Sequence, residues 1–345
     1  MTFSKLPFRS LLVTGVLLLL AGCDTVVLHP SGDIAAQQGK LVISSTLLML
    51  LIIVPVIVLT LLFAWRYRAS NTKATYTPDW DHSTQLELVI WAAPLAIIIA
   101  LGAITWITTH TLDPFRPLDR IAEGKPLPAN VKPLEIDAVA LDWKWLFIYP
   151  EQGIATVNVL AAPVDRPVLF KITASSVMNS LYIPALAGQI YAMPGMETQL
   201  NAVINKPGNY EGFSGNYSGA GFSDMKFRFH GLDDAGFDAW VKQAQAGTET
   251  LDRAGYLKLE APSKKEPEHV FAKVDAGLYH AILNRCVAAG QPCADELMAM
   301  DMGMRPRPAR HGEGSEGEAP AAGEHDAAVP AGHDAHAMPA GHAMP

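Results

Sequence analysis

The chain has 345 residues, half of them hydrophobic and only 17% charged, with a net charge of -8. Such a composition excludes an ordinary soluble protein unless part of the chain lies in lipid. No basic run with interleaved aromatics is present, which argues against nucleic-acid binding.

Residues 1–22 hold Lys5 and Arg9, then an apolar run from Leu11, then Leu20-Ala-Gly-Cys. A charged start, a short apolar core and small residues before a cut are the parts of a secretory signal. The Leu-Ala-Gly-Cys ending resembles a bacterial lipobox, which implies cleavage before Cys23 and lipid on its sulfur. Cys286 and Cys293 then remain in an oxidising compartment, where a small disulfide loop is expected and two free thiols are the alternative.

Residues 23–40 read as a polar tether on the periplasmic side. Residues 41–65 are almost wholly apolar, with no charge until Arg66. About 20 such residues cross a hydrocarbon core of roughly 30 Å, and Pro55 is expected to kink the helix rather than end it. A second apolar segment spans 86–109, with Trp91 and Trp106 placed as interface anchors. Together residues 41–110 predict a transmembrane hairpin. Arg66, Arg68 and Lys73 lie in its loop, but Arg116, Arg120 and Lys125 flank the far end of the second helix, so charge alone is a tie. A translocated, lipid-bearing Cys23 breaks it, so the loop is expected in the cytoplasm and both ends outside.

Residues 111–133, with several prolines, read as a stiff connector. From 134 the texture changes to short strands, expected at 134–149, 155–160, 168–173, 180–183, 189–193, 198–204 and 225–230. Turn residues at Pro194-Gly195 and Lys206-Pro-Gly divide them, which predicts a β-sandwich or barrel over 134–260. An amphipathic helix is expected over 233–246, capped by Asp233 or Asp234. Residues 261–304 read as a mostly helical extension. Residues 305–345, rich in Ala, Gly, Pro, Glu and His, cannot bury a core and read as disordered.

Residues 212–225, Gly-Phe-Ser-Gly-Asn-Tyr-Ser-Gly-Ala-Gly-Phe-Ser-Asp-Met, have the layout of a copper loop, C-x-E-x-C-x-x-x-H-x-x-M. In that register the ligand positions fall on Ser214, Asn216, Ser218, Phe222 and Met225. Leu141-Asp-Trp-Lys-Trp-Leu-Phe-Ile-Tyr, Ser176-Val-Met-Asn-Ser-Leu-Tyr-Ile-Pro-Ala-Leu and Gln189-Ile-Tyr-Ala-Met-Pro-Gly lie ahead of it in the same order. These blocks resemble subunit II of the haem-copper oxidases, and most nearly the bo-type quinol oxidases. The resemblance covers roughly residues 20 to 260.

It implies a membrane protein with a cupredoxin-like Greek-key sandwich outside the cytoplasm. The first copper histidine of the family falls on Asn179 here, and its acidic residue between the cysteines falls on Asn216. Serine and asparagine could not retain a dinuclear copper centre. The implied role is therefore a non-redox subunit of a proton-pumping ubiquinol oxidase. Haems and copper would sit in a large catalytic partner, further small membrane subunits would complete the complex, and cytochrome c would not be the donor. The location implied is the bacterial inner membrane, with the main domain in the periplasm. Trp143 and Trp145 are expected to pack against the catalytic subunit. Glu87, at the start of the second helix, matches a place linked in the family to a proton entry; a carboxylate stabilised by the helix dipole is the bland reading.

The alternative is a free-standing membrane lipoprotein whose cupredoxin-like domain binds copper or another ligand. Met298, Met300, Met302 and Met304 alternate, and His311, His325, His333, His336 and His342 follow with Met338 and Met344. Thioethers and imidazoles suit copper, but such tails are also ordinary low-complexity sequence, the reading preferred on sequence alone.

Overall fold

The computed structural model describes residues 25–75 and 77–302. The signal at 1–22, Cys23, Met304 and the tail from 305 lie outside the described residues.

Two long helices come first, α1 (Asp33–Arg66) and α2 (Thr84–Thr111). Both are apolar and long enough to cross a membrane. The hydroxyls of Ser45, Thr60 and Thr108 bond back to the carbonyls of Leu41, Val56 and Ile104, so these polar groups are satisfied inside the helices. Helix α1 starts well before residue 41, so half of the expected tether is helical. The cause is contact with the domain: Ala35 N donates to Leu186 O at 3.3 Å, and Asp33, Ala35 and Gly39 are buried. At Gly32 a side chain would stand 2.6 Å from Leu186 O and 2.7 Å from Val203 O, which only glycine avoids.

The connector holds a small hairpin of β1 (Arg120–Ala122) and β2 (Lys125–Pro126). It brings Arg120 onto Asp33, with contacts of 2.9 and 3.2 Å. Gln37 Nε2 adds a bond to the same carboxylate at 2.8 Å.

A two-sheet sandwich follows, as expected. The strands are β3 (Leu134–Leu141), β4 (Lys144–Tyr149), β5 (Ile154–Val157), β6 (Val159–Pro163), β7 (Val168–Ala174), β8 (Asn179–Tyr182), β9 (Ile190–Ala192), β10 (Thr198–Ala202), β11 (Gly208–Ser214) and β12 (Lys226–Leu232). After them come α3 (Asp234–Gln245), β13 (Thr250–Leu251), α4 (Arg253–Glu260), β14 (His269–Phe271), β15 (Lys273–Val274), α5 (Leu278–Leu283) and α6 (Ala294–Asp301). One sheet runs β10-β7-β3-β4-β5-β14 and the other β6-β12-β11-β8-β9. The run at 134–149 is two strands, because it turns at Asp142 and Trp143. The run at 155–160 is also two strands, and they belong to different sheets. Asp233 caps α3 through Gly236 N at 2.7 Å.

The space between the sheets is filled by Ile136, Trp145, Phe147, Phe170, Phe229 and their neighbours. Trp145 is fully buried there. It is a core residue of this chain and not a surface for another subunit, because it points inward from β4 while Trp143 sits in the turn before it.

The extension from 261 is not mostly helical. Strand β14 joins the sheet antiparallel to β5, β15 pairs with β13, and only α5 and α6 are helices. Together with β13 and α4, this segment covers the outer face of the six-stranded sheet. Leu251, Tyr256, Leu278, Ala281, Ile282 and Cys286 pack there on Val139, Leu141, Leu146 and Val157. An unmet sheet edge and an apolar face outweigh local helix preference in such a short stretch. Cys286 and Cys293 are joined by a disulfide in this cover, with Cα atoms 4.8 Å apart. Lys144, itself buried, fastens the start of the cover by donating to Ala261 O at 2.8 Å and Ser263 Oγ at 2.6 Å.

Asp137 is trapped under the same cover at 4% exposure. Burial, reinforced by Glu135 and Glu197 and opposed by Lys171, pushes its carboxyl up to about 7 from 3.8. The folded state thus binds the proton more tightly than the unfolded chain. Stability from this group is complete below about pH 4 and is lost as pH rises through 7, by up to about 4 kcal/mol. Asp137→Asn is expected to raise the melting temperature of the detergent-purified chain at pH 8 and to leave it nearly unchanged at pH 4. An equal shift at both values would show that ionisation is not the cause. At the membrane junction, Arg120→Ala leaves the buried Asp33 carboxylate uncompensated. It is expected to cost about 2–3 kcal/mol in thermal or denaturant unfolding, and more than Asp33→Asn, because Arg120 itself retains access to water.

Candidate functional site

The loop of 212–225 hangs between β11 and β12, two antiparallel strands paired from Gly208–Gly231 to Phe213–Lys226. A single turn of 3-10 helix, Phe222–Asp224, closes it. Strand β8 lies alongside, pairing Phe213 with Tyr182 and Ser214 with Leu181. The pairing sets Asn179, at the start of β8, next to Ser214, at the end of β11. The structure therefore brings together the two positions that were 35 residues apart in sequence.

Ser214 and Asn179 are both buried. Ser214 Oγ lies 3.1 Å from Asn179 Oδ1 and 3.3 Å from Asn216 O, and receives Ser180 N at 3.5 Å. Asn179 Nδ2 donates to Val177 O at 3.0 Å, and Asn216 Nδ2 to Met178 O at 3.1 Å. Met225 is 1% exposed and belongs to the interior of the sandwich, its backbone bonded to Ser214 N at 3.2 Å. Phe222 is half-buried and stacks edge-on to Tyr217, with centroids 5.5 Å apart.

These donors do not fit a dinuclear copper centre. Such a centre needs bridging thiolates and imidazoles. Here the hydroxyl and the amides are already engaged with one another and with backbone. Among the described residues, no cluster of three or more His, Cys, Asp or Glu side chains has the arrangement of a metal site.

Trp143 holds the loop in place. Its Nε1 donates to Ser218 O at 2.9 Å. Its ring lies so close to the loop backbone that a side chain at Gly221 would stand 2.5 Å from ring carbons, and one at Gly219, where φ is +115°, 3.1 Å away. The glycines thus serve a close approach by an aromatic ring. Sequence reading placed Trp143 at a surface and missed this contact, since nothing in its spacing links residue 143 to 218.

Glu87 lies in the first turn of α2. Its carboxylate is 2.7 Å from His82 Nδ1, and both side chains are exposed. It stands at the opposite end of the hairpin from the sandwich, which meets α1 near its start, at Ala35.

Comparison with known proteins agrees with this geometry. Residues 130–230 match the model of cytochrome c oxidase subunit II, periplasmic domain, and residues 245–290 match the COX aromatic-rich motif. The second match spans α4, β14, β15 and α5, most of the cover over the sheet. Cytochrome bo(3) ubiquinol oxidase subunit 2 of Pseudomonas putida is 45% identical over 302 residues, 87% of this chain and 91% of that protein. The protein of the same name from Pseudomonas aeruginosa is 48% identical over 281 residues, 81% of this chain and 82% of the relative. Ubiquinol oxidase subunit 2 of Acetobacter aceti is 52% identical over 266 residues, 77% of this chain and 84% of the relative. Two long apolar helices ahead of a domain of this periplasmic family describe a membrane-anchored chain with a periplasmic domain. The chain belongs to the subunit II family of the haem-copper oxidases, in its ubiquinol oxidase branch.

Proposed function

We propose that the chain is the non-redox subunit of a proton-translocating respiratory oxidase that takes electrons from ubiquinol and reduces oxygen to water. The haems and copper of oxygen reduction belong to a large catalytic subunit, and the chain braces and caps that subunit. Further small membrane subunits complete the complex in the bacterial inner membrane, with lipid on Cys23 as an added anchor. The observation that carries this reading is the hydrogen bond of Ser214, at the base of the loop, to Asn179 on the neighbouring strand β8. Where a metal would accept electrons from a water-soluble cytochrome, two uncharged polar groups are paired. With no acceptor in this domain, electrons enter from a donor dissolved in the membrane.

The test is turnover of the purified complex with rival donors. Oxygen uptake is expected with ubiquinol and not with reduced cytochrome c, and haem absorbance is expected to co-purify with the chain. Oxidation of cytochrome c would overturn the reading, and purification without haem would favour a free-standing lipoprotein.

Glu87 is proposed as part of a proton entry from the cytoplasmic side, supported by its exposed contact with His82 at the start of α2. An ionisable pair in water at a helix end can load protons and pass them inward. Glu87→Ala is expected to lower oxidase turnover of the complex while the haem spectrum stays intact. Unchanged turnover would leave Glu87 as a carboxylate at a helix N-terminus and nothing more.

A further inference from the structure

A cavity of about 640 Å³ lies where the hairpin meets the sandwich, a size usual for a small-molecule site. Its walls come from the start of α1 at Gln37 and Gln38, the end of α2 at Thr111, and the connector at Asp113 and Arg116. A second cavity of about 340 Å³ continues from it, the two sharing Gln37, Thr111, Leu112 and Arg120. This lower one is a groove between the membrane helices, bounded by Leu41 and Ser44 of α1 and by Ile104 and Thr108 of α2. No Asp, Glu, Lys or Arg occurs between Lys40 and Arg66, or between Glu87 and Asp113. Leu41 and Thr108 therefore lie at the edge of the hydrocarbon, with Gln37, Asp113 and Arg116 at the level of the lipid headgroups. A polar chamber above an apolar groove matches an amphiphile lying along the helices. A water-soluble ligand would gain nothing from the groove.

The charges on the chamber wall decide which headgroup fits. Arg120 is held by Asp33, and Arg116 lies 2.8 Å from Asp119. The Arg116 side chain is still 44% exposed, so its guanidinium keeps N–H donors for a phosphate, whose oxygens its planar fork suits. Asp113 makes no ion pair among the described residues; one of its oxygens accepts Phe115 N at 2.9 Å, which leaves the other open to a cation. Asp33, Asp113 and Asp119 against Arg116 and Arg120 give the wall one negative charge in excess. A purely anionic headgroup would be repelled by that excess. A zwitterion with a primary ammonium can donate to Asp113 while its phosphate accepts from Arg116.

We propose that the junction of hairpin and sandwich binds one zwitterionic aminophospholipid from the leaflet that faces the sandwich. Its phosphate lies at Arg116, its ammonium at Asp113, and one acyl chain runs down the groove between α1 and α2. The site is separate from the loop of 212–225 and independent of the electron donor.

The test is native mass spectrometry of the full chain, purified in detergent with the subunits that accompany it and stripped of lipid. It is titrated separately with dioleoyl phosphatidylethanolamine, phosphatidylglycerol and phosphatidylcholine. One phosphatidylethanolamine is expected to bind, and the other two lipids, neither of which carries a primary ammonium, at least about tenfold more weakly. Asp113→Asn/Arg116→Gln alters two exposed side chains and is expected to weaken phosphatidylethanolamine by about the same factor with circular dichroism unchanged. Ser44→Trp, which fills the groove, is expected to weaken all three lipids, and Lys73→Gln in the distant loop to weaken none. The proposal is overturned if either weakening variant, folded by circular dichroism, binds phosphatidylethanolamine like the wild type. Equal binding of the three lipids, or an equal loss in Lys73→Gln, overturns it as well. So does failure of the purified protein to take up any lipid, which assigns the cavity to a segment of another subunit.

Discussion

Strand β3 sends Ile136, Ala138 and Ala140 into the space between the two sheets, and Val139 and Leu141 into the space beneath the C-terminal cover. A strand buried on both faces has no solvent side, so it reads as a continuous apolar run. Most of the molecule outside the helices follows from this. The outer face of the six-stranded sheet must be covered, and the segment after α3 supplies the cover. Lys144 ties the start of that cover down, and the disulfide closes its far end. The same burial leaves Asp137 with a carboxylate oxygen that has no hydrogen-bond partner, which is why its proton is held so tightly.

How far the sequence could be read follows from the same condition. The membrane helices were legible because lipid imposes a length and a composition that no other setting imposes. The helix at Asp234–Gln245 was legible because its cap and its apolar face are local. The turn inside 134–149 was hidden, since a doubly buried strand gives no alternation to break. The role of β14 was hidden for a different reason: a three-residue strand exists only because β5 offers it an open edge. The ligand positions of the loop could be located by spacing alone. The hydrogen bonds that now occupy them, and the Trp143 ring behind the glycines, depend on contacts across the fold.

The sandwich and the hairpin meet through a small number of groups. Gly32 presses its backbone against Leu186 and Val203, and Arg120 reaches Asp33 from the connector. Because α1 passes from the domain into the apolar segment without a break, the domain has little freedom to swing over the membrane. The loop at 212–225 is therefore carried by a stiff support, although its own donors hold no metal of the dinuclear kind.

Asn158 is the one residue between β5 and β6, and there the chain leaves one sheet for the other. It adopts a left-handed backbone conformation, with φ at 56°. Its side chain receives Trp145 N at 2.9 Å and donates to Glu266 O at 2.8 Å. Its backbone N–H and C=O bond to Trp145 O and Arg228 N. No slack exists at this crossing: an extra residue would shift β6 against β12 and turn its side chains to the wrong face. A residue inserted here would cost the sandwich its register, whereas the loops that join its hairpins can lengthen without moving a strand.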